Sequence, residues 1–412
     1  MYALLLAIIY IAFISLGLPD ALVGSGWPVM HDDLGVPLAF AGILTMIIAA
    51  GTIASSLASE RLTRRFGVGV VTAASVGMTA SALLGFAFAD SFWMLCLWAI
   101  PYGLGAGAVD AALNNYVALH YAARHMNWLH SFWGVGASIS PFIMGAAISS
   151  GQGWSSAYQT VGLIQVALTV ALFASVPLWA RVDRARPEAA HRAHEPGPEG
   201  RATTGHVRLG VALRIPGVLL ILAAFFAYCA IESTAILWAS TYLVSERGID
   251  PALAATFGAL FLLGITAGRF LSGFIADRIG DRALIRGGFI LVGVGIGLMA
   301  LPLPTDVPAL AGLVIAGLGC APIYPAIVHS TPANFGAGNS QAIIGIQMAA
   351  AYTGSTIMPP LFGGLSAWTG MWILPFFLLL LVALGLVMSE TLNRRIRHRP
   401  AAPLIESRTP AE

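Results

Sequence analysis

Gly273-Phe-Ile-Ala-Asp277-Arg278-Ile-Gly280-Asp281-Arg282 is a charged turn set between two apolar runs, near 252–275 and 285–302. A similar turn, Ser56-Leu-Ala-Ser-Glu60-Arg61-Leu-Thr-Arg64-Arg65, separates runs near 39–58 and 68–88. A helix needs about 20 apolar residues to cross a bilayer, and each of these runs is long enough. Working outward from the two turns, twelve such runs can be marked. The first six lie near 2–29, 39–58, 68–88, 92–117, 129–149 and 157–180. The second six lie near 215–243, 252–275, 285–302, 307–331, 340–363 and 369–390.

Composition agrees. Of 412 residues, 58% are hydrophobic and only 10% charged, whereas a soluble domain carries about 25% charged residues. The chain therefore reads as an all-α membrane protein with twelve transmembrane helices, multi-pass in the cell (inner) membrane. The expected organisation is a six-helix bundle over 1–180, a cytoplasmic linker over 181–214, a second bundle over 215–391 and a disordered tail over 392–412. The linker is rich in Arg, Pro, Glu and His, a composition that cannot bury a core. The first run follows Met1 without a basic region or cleavage site, so it reads as a retained span and not a signal peptide.

Arginine sets the expected orientation, because the chain contains no lysine. Arg61, Arg64, Arg65, Arg124, Arg278, Arg282 and Arg286 fall on one side, with the linker and tail. The opposite loops hold Arg247 beside Asp32, Asp33, Asp90, Glu246, Asp250 and Asp306. Basic loops stay inside, so both termini are expected in the cytoplasm. Cys96, Cys229 and Cys320 lie in apolar runs without metal-ligand spacing and read as small core residues; no metal site is expected.

The halves echo each other beyond the turns. Asp20 precedes Trp27 by seven residues and Glu232 precedes Trp238 by six. Gly103-Leu-Gly105 matches Gly317-Leu-Gly319, and Pro141 with Gly145 matches Pro359 with Gly363. Paired six-span halves joined by a cytoplasmic linker point to alternating access, in which two bundles rock about a central site.

On these residues the chain resembles the major facilitator superfamily over essentially its whole length. The turn at Gly273–Arg282 is similar to that family's loop motif, and the turn at Ser56–Arg65 is a degenerate copy with Ser for Gly and Glu for Asp. The resemblance implies a cytoplasmic gate built from Glu60, Arg61, Arg65, Gly273, Asp277, Arg278, Gly280 and Arg282. Within the superfamily the chain is most like the fucose/glucose permease group. That likeness rests on Gly17-Leu-Pro-Asp20 with Gly26-Trp27-Pro28, on Gly105-Ala-Gly107-Ala-Val-Asp110-Ala-Ala-Leu-Asn114, and on Glu232 ahead of Trp238 and Tyr242. It implies sugar-like cargo moved with protons or sodium. Ser140-Pro141-Phe-Ile-Met144-Gly145 departs from the superfamily's antiporter signature and reads as shaping its helix.

Four charges lie well inside the apolar runs, away from their ends: Asp20, Asp110, Glu232 and Arg269. A charge in hydrocarbon costs about 2.5–3.5 kcal/mol on insertion scales, so such residues face protein, cavity or substrate. Gly103, Gly107, Asp110 and Asn114 fall on one helical face, where glycines admit a ligand or another backbone and the polar pair offers hydrogen bonds. Asp20 is expected to share a face with Gly17, Gly24 and Trp27, an aromatic plane beside an acid that suits a sugar ring. Glu232 is nearest mid-membrane and by depth is the leading proton carrier, unless a cation neutralises it. Arg269 is expected either to pair with Asp110 or Glu232, or to snorkel toward the cytoplasm and brace the gate.

His130 and Trp133 share a face at the start of span 5, and a histidine can change charge near neutral pH. Asn115, Tyr324, His329, Gln341, Gln347 and Tyr352 form a second rank, with Tyr324 in the repeat slot of Asp110. The chain has no G-x-x-x-x-G-K-[ST], H-E-x-x-H or G-x-S-x-G, so ATP drive and enzyme chemistry lack support. The expected function is secondary transport of a small polar solute, a hexose among the candidates, by a monomer in the lipid bilayer. It needs no cofactor beyond a coupling ion, H⁺ or in its place Na⁺, and no nucleic acid. Efflux of amphipathic compounds is the competing transport reading.

Overall fold

The computed structural model describes residues 2–37, 40–185 and 209–397. Most of the expected linker (186–208) and of the tail (398–412) lies outside the described residues. Spans 2 to 6 are single helices: α3 (Ala41–Phe66), α4 (Val68–Ala87), α5 (Phe92–His120), α6 (Ala123–Ser149) and α7 (Gly153–Ala185). After the short α8 (Leu209–Ala212), spans 7 to 9 are α9 (Val218–Arg247), α10 (Pro251–Ile279) and α11 (Asp281–Ala300). Span 11 is α15 (Ala337–Thr369), and a 3₁₀ turn at Met371–Ile373 leads into span 12, α16 (Leu374–Arg397).

Two spans depart from single helices. Span 1 is α1 (Tyr2–Gly17) and α2 (Leu22–Asp33), and span 10 is α12 (Val307–Cys320) and α13 (Ile323–His329), followed by α14 (Thr331–Phe335). Pro19 and Pro322 sit at the two breaks. Proline lacks the N–H that an interior helical position donates to the carbonyl four residues earlier.

Among the described residues, eleven segments are both long and apolar enough to cross a membrane. The twelfth, α15, has 33 residues, about 50 Å at 1.5 Å per residue, which is ample length. Asn339, Ser340, Gln341, Gln347, Tyr352, Thr353 and Ser355 lower its apolarity. Ser340, Gln341 and Gln347 bond other segments, and Tyr352 and Ser355 line a cavity, where the hydrocarbon cost does not apply.

Close crossings set the packing. A side chain at Gly17 would strike the Trp133 carbonyl, and one at Gly136 would strike that of Ile14, so α1 and α6 touch backbone to backbone. Gly103 and Gly107 of α5 meet the Ile48 and Thr52 carbonyls of α3 in the same way, and Gly317 of α12 meets Phe261 of α10. Small residues allow such approach where apolar lipid gives helices little reason to associate. The expected single face of α5 is therefore divided. Its glycines serve α3, while Tyr102, Ala106 and Asp110 face the cavity.

Gly67 and Gly280 end α3 and α10 with nearly the same backbone, φ 82° with ψ 156° and φ 80° with ψ 153°. Only glycine adopts that conformation cheaply, so these two residues register the repeats. On that register Arg64, and not Glu60, occupies the slot of Asp277. Glu60, the acid matched to Asp277 by the sequence motif, lies one helical turn further inside, 3.7 Å from Arg64.

Candidate functional site

Between the halves lies a cavity of about 520 Å³, lined from spans 1, 2, 4, 5, 7, 8, 10 and 11. All four intramembrane charges border it, with His130, Trp133, Tyr324 and Tyr352. Its volume falls in the range of about 300–1,000 Å³ usual for small-molecule sites.

The wall from the first half holds two acids that, among the described residues, pair with no cation. The break in α1–α2 turns Asp20 toward α5 and α6, where the Trp133 indole N–H donates to Oδ2 at 2.9 Å and the Tyr102 hydroxyl to Oδ1 at 3.4 Å. Asp110 is 4% exposed. The Asn114 amide donates to its Oδ1 at 2.8 Å, and the Tyr352 hydroxyl, from the other half, donates to Oδ2 at 2.9 Å. With its amide nitrogen committed to Asp110, Asn114 turns its oxygen to His130 Nε2 at 3.0 Å. That ring nitrogen therefore carries the proton. His130 is further held by edge contacts with Phe13 and Tyr324.

The wall from the second half is compensated. Arg269, only 3% exposed, donates to Glu232 Oε1 at 3.2 Å and to the Tyr228 hydroxyl at 3.1 Å. Of the two expected partners it takes Glu232, and its burial rules out snorkelling. Its guanidinium carbon lies 5.9 Å from the Trp133 ring centre and 6.0 Å from that of Tyr324, within the range of cation–π attraction. Trp133 thus touches both systems, with its N–H on Asp20 and its ring beside Arg269.

The halves also bond to each other at the arginine-rich end. The Asp277 carboxylate accepts from the Arg124 backbone N–H at 3.1 Å and lies 3.5 Å from its Nε. This places the acid at the N-terminus of α6, where helix-dipole and side-chain charge both favour it. Trp128 donates to the Phe270 carbonyl, Ser340 to Asn115 Oδ1 at 2.6 Å and Gln341 to Ser59 Oγ at 3.0 Å. His329 lies between Asp281 Oδ2 (2.7 Å) and the Tyr121 carbonyl across the interface (3.2 Å). Gly273 provides room for Trp128. Arg61, Arg65, Arg278 and Arg282 are exposed at this end.

Other expected residues lie off the cavity. Trp27 is buried against Phe92 and His31, because the helix break resets the register after Asp20. Trp238 donates to the Pro359 carbonyl at 2.9 Å and fills the space left by Gly363. Asn114 and Gln347 are fully buried, the first behind Asp110 and the second accepting from Thr331 at 3.1 Å. Sequence reasoning passed over Tyr102, eight residues before Asp110 on the same face, and Tyr228, one turn before Glu232. Helical periodicity from the acids would have found both.

The family model described as Major Facilitator Superfamily matches residues 9–265 and 220–408. One similar protein is Bypass of stop codon protein 6 of Saccharomyces cerevisiae, 24% identical over 284 residues, or 65% of this chain and 56% of that one. The chain thus spans little more than half the length of that relative. Solved structures of similar fold include the outward-conformation crystal structure of FucP, the fucose:proton symporter of E. coli, at TM-score 0.74, 15% identity and coverage of 94% and 98%. Another is the proton:xylose symporter XylE bound to 6-bromo-6-deoxy-D-glucose, at TM-score 0.77 and 12% identity, covering 95% of each chain. At such identities the likeness speaks for the fold alone.

Proposed function

The chain belongs to the Major Facilitator Superfamily, and from that premise we propose that it carries a neutral, hydroxyl-rich solute of hexose class, coupled to protons through Asp20 and Asp110. The observation that carries this reading is the pair of cavity carboxyls held by Trp133, Tyr102, Asn114 and Tyr352 and, among the described residues, by no cation. Carboxyls in such surroundings can hold or release a proton as hydration changes, and both accept hydroxyl hydrogen bonds from a solute. Trp133 and the tyrosines offer flat apolar faces for the C–H faces of a sugar ring. The cavity's three acids against one arginine argue against an anionic cargo. FucP and XylE, named as fucose:proton and proton:xylose symporters, support sugar cargo and proton coupling by analogy of fold.

Glu232 is the weaker proton carrier, because its carboxylate is already paired with Arg269 at 3.2 Å. The depth argument from sequence favoured Glu232 only in the absence of a cation, and the ion pair moves the role to the first half. The arginine-rich end is taken as cytoplasmic by the positive-inside rule. Its cross-half bonds then close the cytoplasmic side, and transport proceeds as they break and the bundles rock.

The test is uptake of a labelled hexose panel into proteoliposomes under an imposed pH or Na⁺ gradient. An inward proton gradient should drive accumulation of at least one member. Asp20→Asn and Asp110→Asn should each abolish accumulation, with sugar counterflow surviving in at least one. Accumulation driven only by Na⁺, or expulsion of lipophilic cations with no sugar uptake, would replace this reading.

A further inference from the structure

The break in span 1 frees the Ser15 carbonyl, since Pro19 stands four residues on and has no N–H to give it. The flanking backbone does not repair this. Leu18 N–H bonds Ile14, Asp20 N–H bonds Gly17 in a tighter turn, and Leu22 N–H bonds Pro19. A carbonyl left bare inside a membrane protein is costly, and Ser15 is buried. The missing donor comes from span 6. The Gln165 side-chain Nε2 donates to the Ser15 carbonyl, while its Oε1 accepts from Ser15 Oγ at 2.5 Å. Gln165 is fully buried in α7 and outside the cavity lining. Its amide matches, one donor and one acceptor, what the break leaves open.

We infer that Gln165 is a positioning residue: it stabilises the proline break of span 1 and through it holds Asp20 against Trp133 and Tyr102. Asp20 is the third residue of the turn that follows Gly17, so its direction depends on the break being kept. The functional half of this inference rests on the reading of Asp20 as a cavity acid; the structural half does not.

The test is a double-substitution cycle on the full chain, read by thermal unfolding of the purified protein and by transport. Gln165→Leu should lower the unfolding midpoint by a few degrees and raise KM for the transported sugar by roughly fivefold or more, the scale of one lost buried hydrogen bond. Pro19→Ala restores a backbone N–H to the Ser15 carbonyl. In the Pro19→Ala background Gln165→Leu should therefore cost clearly less stability, while transport stays impaired because the break is lost. Gln165→Glu adds a signature that plain destabilisation lacks. Its neutral form presents the same donor and acceptor, so stability and KM should approach wild type at low pH and worsen on ionisation.

Equal stability costs in both backgrounds would overturn the inference. So would a Gln165→Leu protein with unchanged midpoint and KM. If wild type moves no sugar but the stability cycle couples, the proposed function falls and the bracing of the break stands. If wild type transports and the cycle is additive, the bracing falls alone.

Discussion

The two walls of the cavity solve the problem of charge in a membrane differently. In the first half, Asp20 and Asp110 receive hydrogen bonds from indole, phenol and amide donors. In the second, Glu232 is matched by Arg269, and the repeat slot of Asp110 holds Tyr324. A matched pair has little reason to exchange a proton, whereas an acid with neutral donors can do so as water or solute arrives. Pseudo-symmetry of the backbone therefore coexists with asymmetry of charge.

The harshest way to strain that contrast is to unpair the matched wall. Arg269→Met should cost about 3 kcal/mol or more of stability, as for a buried ion pair that loses one partner. Glu232→Leu with Arg269→Met should recover most of it, seen as a restored unfolding midpoint in detergent. If the double variant is as unstable as the single, the pair is not what balances this wall.

A finer cut removes one donor from the uncompensated wall. Tyr352→Phe deletes the cross-half bond to Asp110 and should cost about 1.5–3 kcal/mol, the range for hydrogen bonds to charged groups. The loss should shrink in an Asp110→Asn background if the bond is to the carboxylate, because the amide oxygen accepts only a weaker, neutral bond. Equal losses in both backgrounds would assign the cost to packing of the ring.

The mildest effect concerns the arginine-rich end, where the halves differ again. Asp277 meets the α6 N-terminus, while the first turn has Arg64 in that slot. Asp277→Asn should weaken closure by about 0.3–1 kcal/mol, or roughly twofold to fivefold in population. The readout is the labelling rate of a cysteine placed by Gln341→Cys after replacement of Cys96, Cys229 and Cys320.

Much of this was legible in the sequence because burying charge is expensive. That cost alone pointed to Asp20, Asp110, Glu232 and Arg269, and all four border one cavity. His130, Trp133, Tyr324 and Tyr352 followed from helical faces and the repeat. Trp27 and Trp238 did not, since closeness in sequence to an acid means little once Pro19 breaks the helix. At the first turn, matching acid to acid sets Glu60 against Asp277, while the positive φ of Gly67 and Gly280, which no side-chain pattern announces, sets Arg64 there. Gln165 was invisible because its partner is a carbonyl that only the break exposes.

The most direct test of the unequal walls is solute-induced proton movement. Proteoliposomes with a pH electrode in a weakly buffered medium should alkalinise when a transported sugar is added to wild type. The account predicts the same signal, at reduced rate, from the Glu232→Leu/Arg269→Met variant and none from Asp110→Asn, provided each binds the sugar in counterflow. Loss of alkalinisation in the double variant with its persistence in Asp110→Asn would contradict the account and return the proton to the second half.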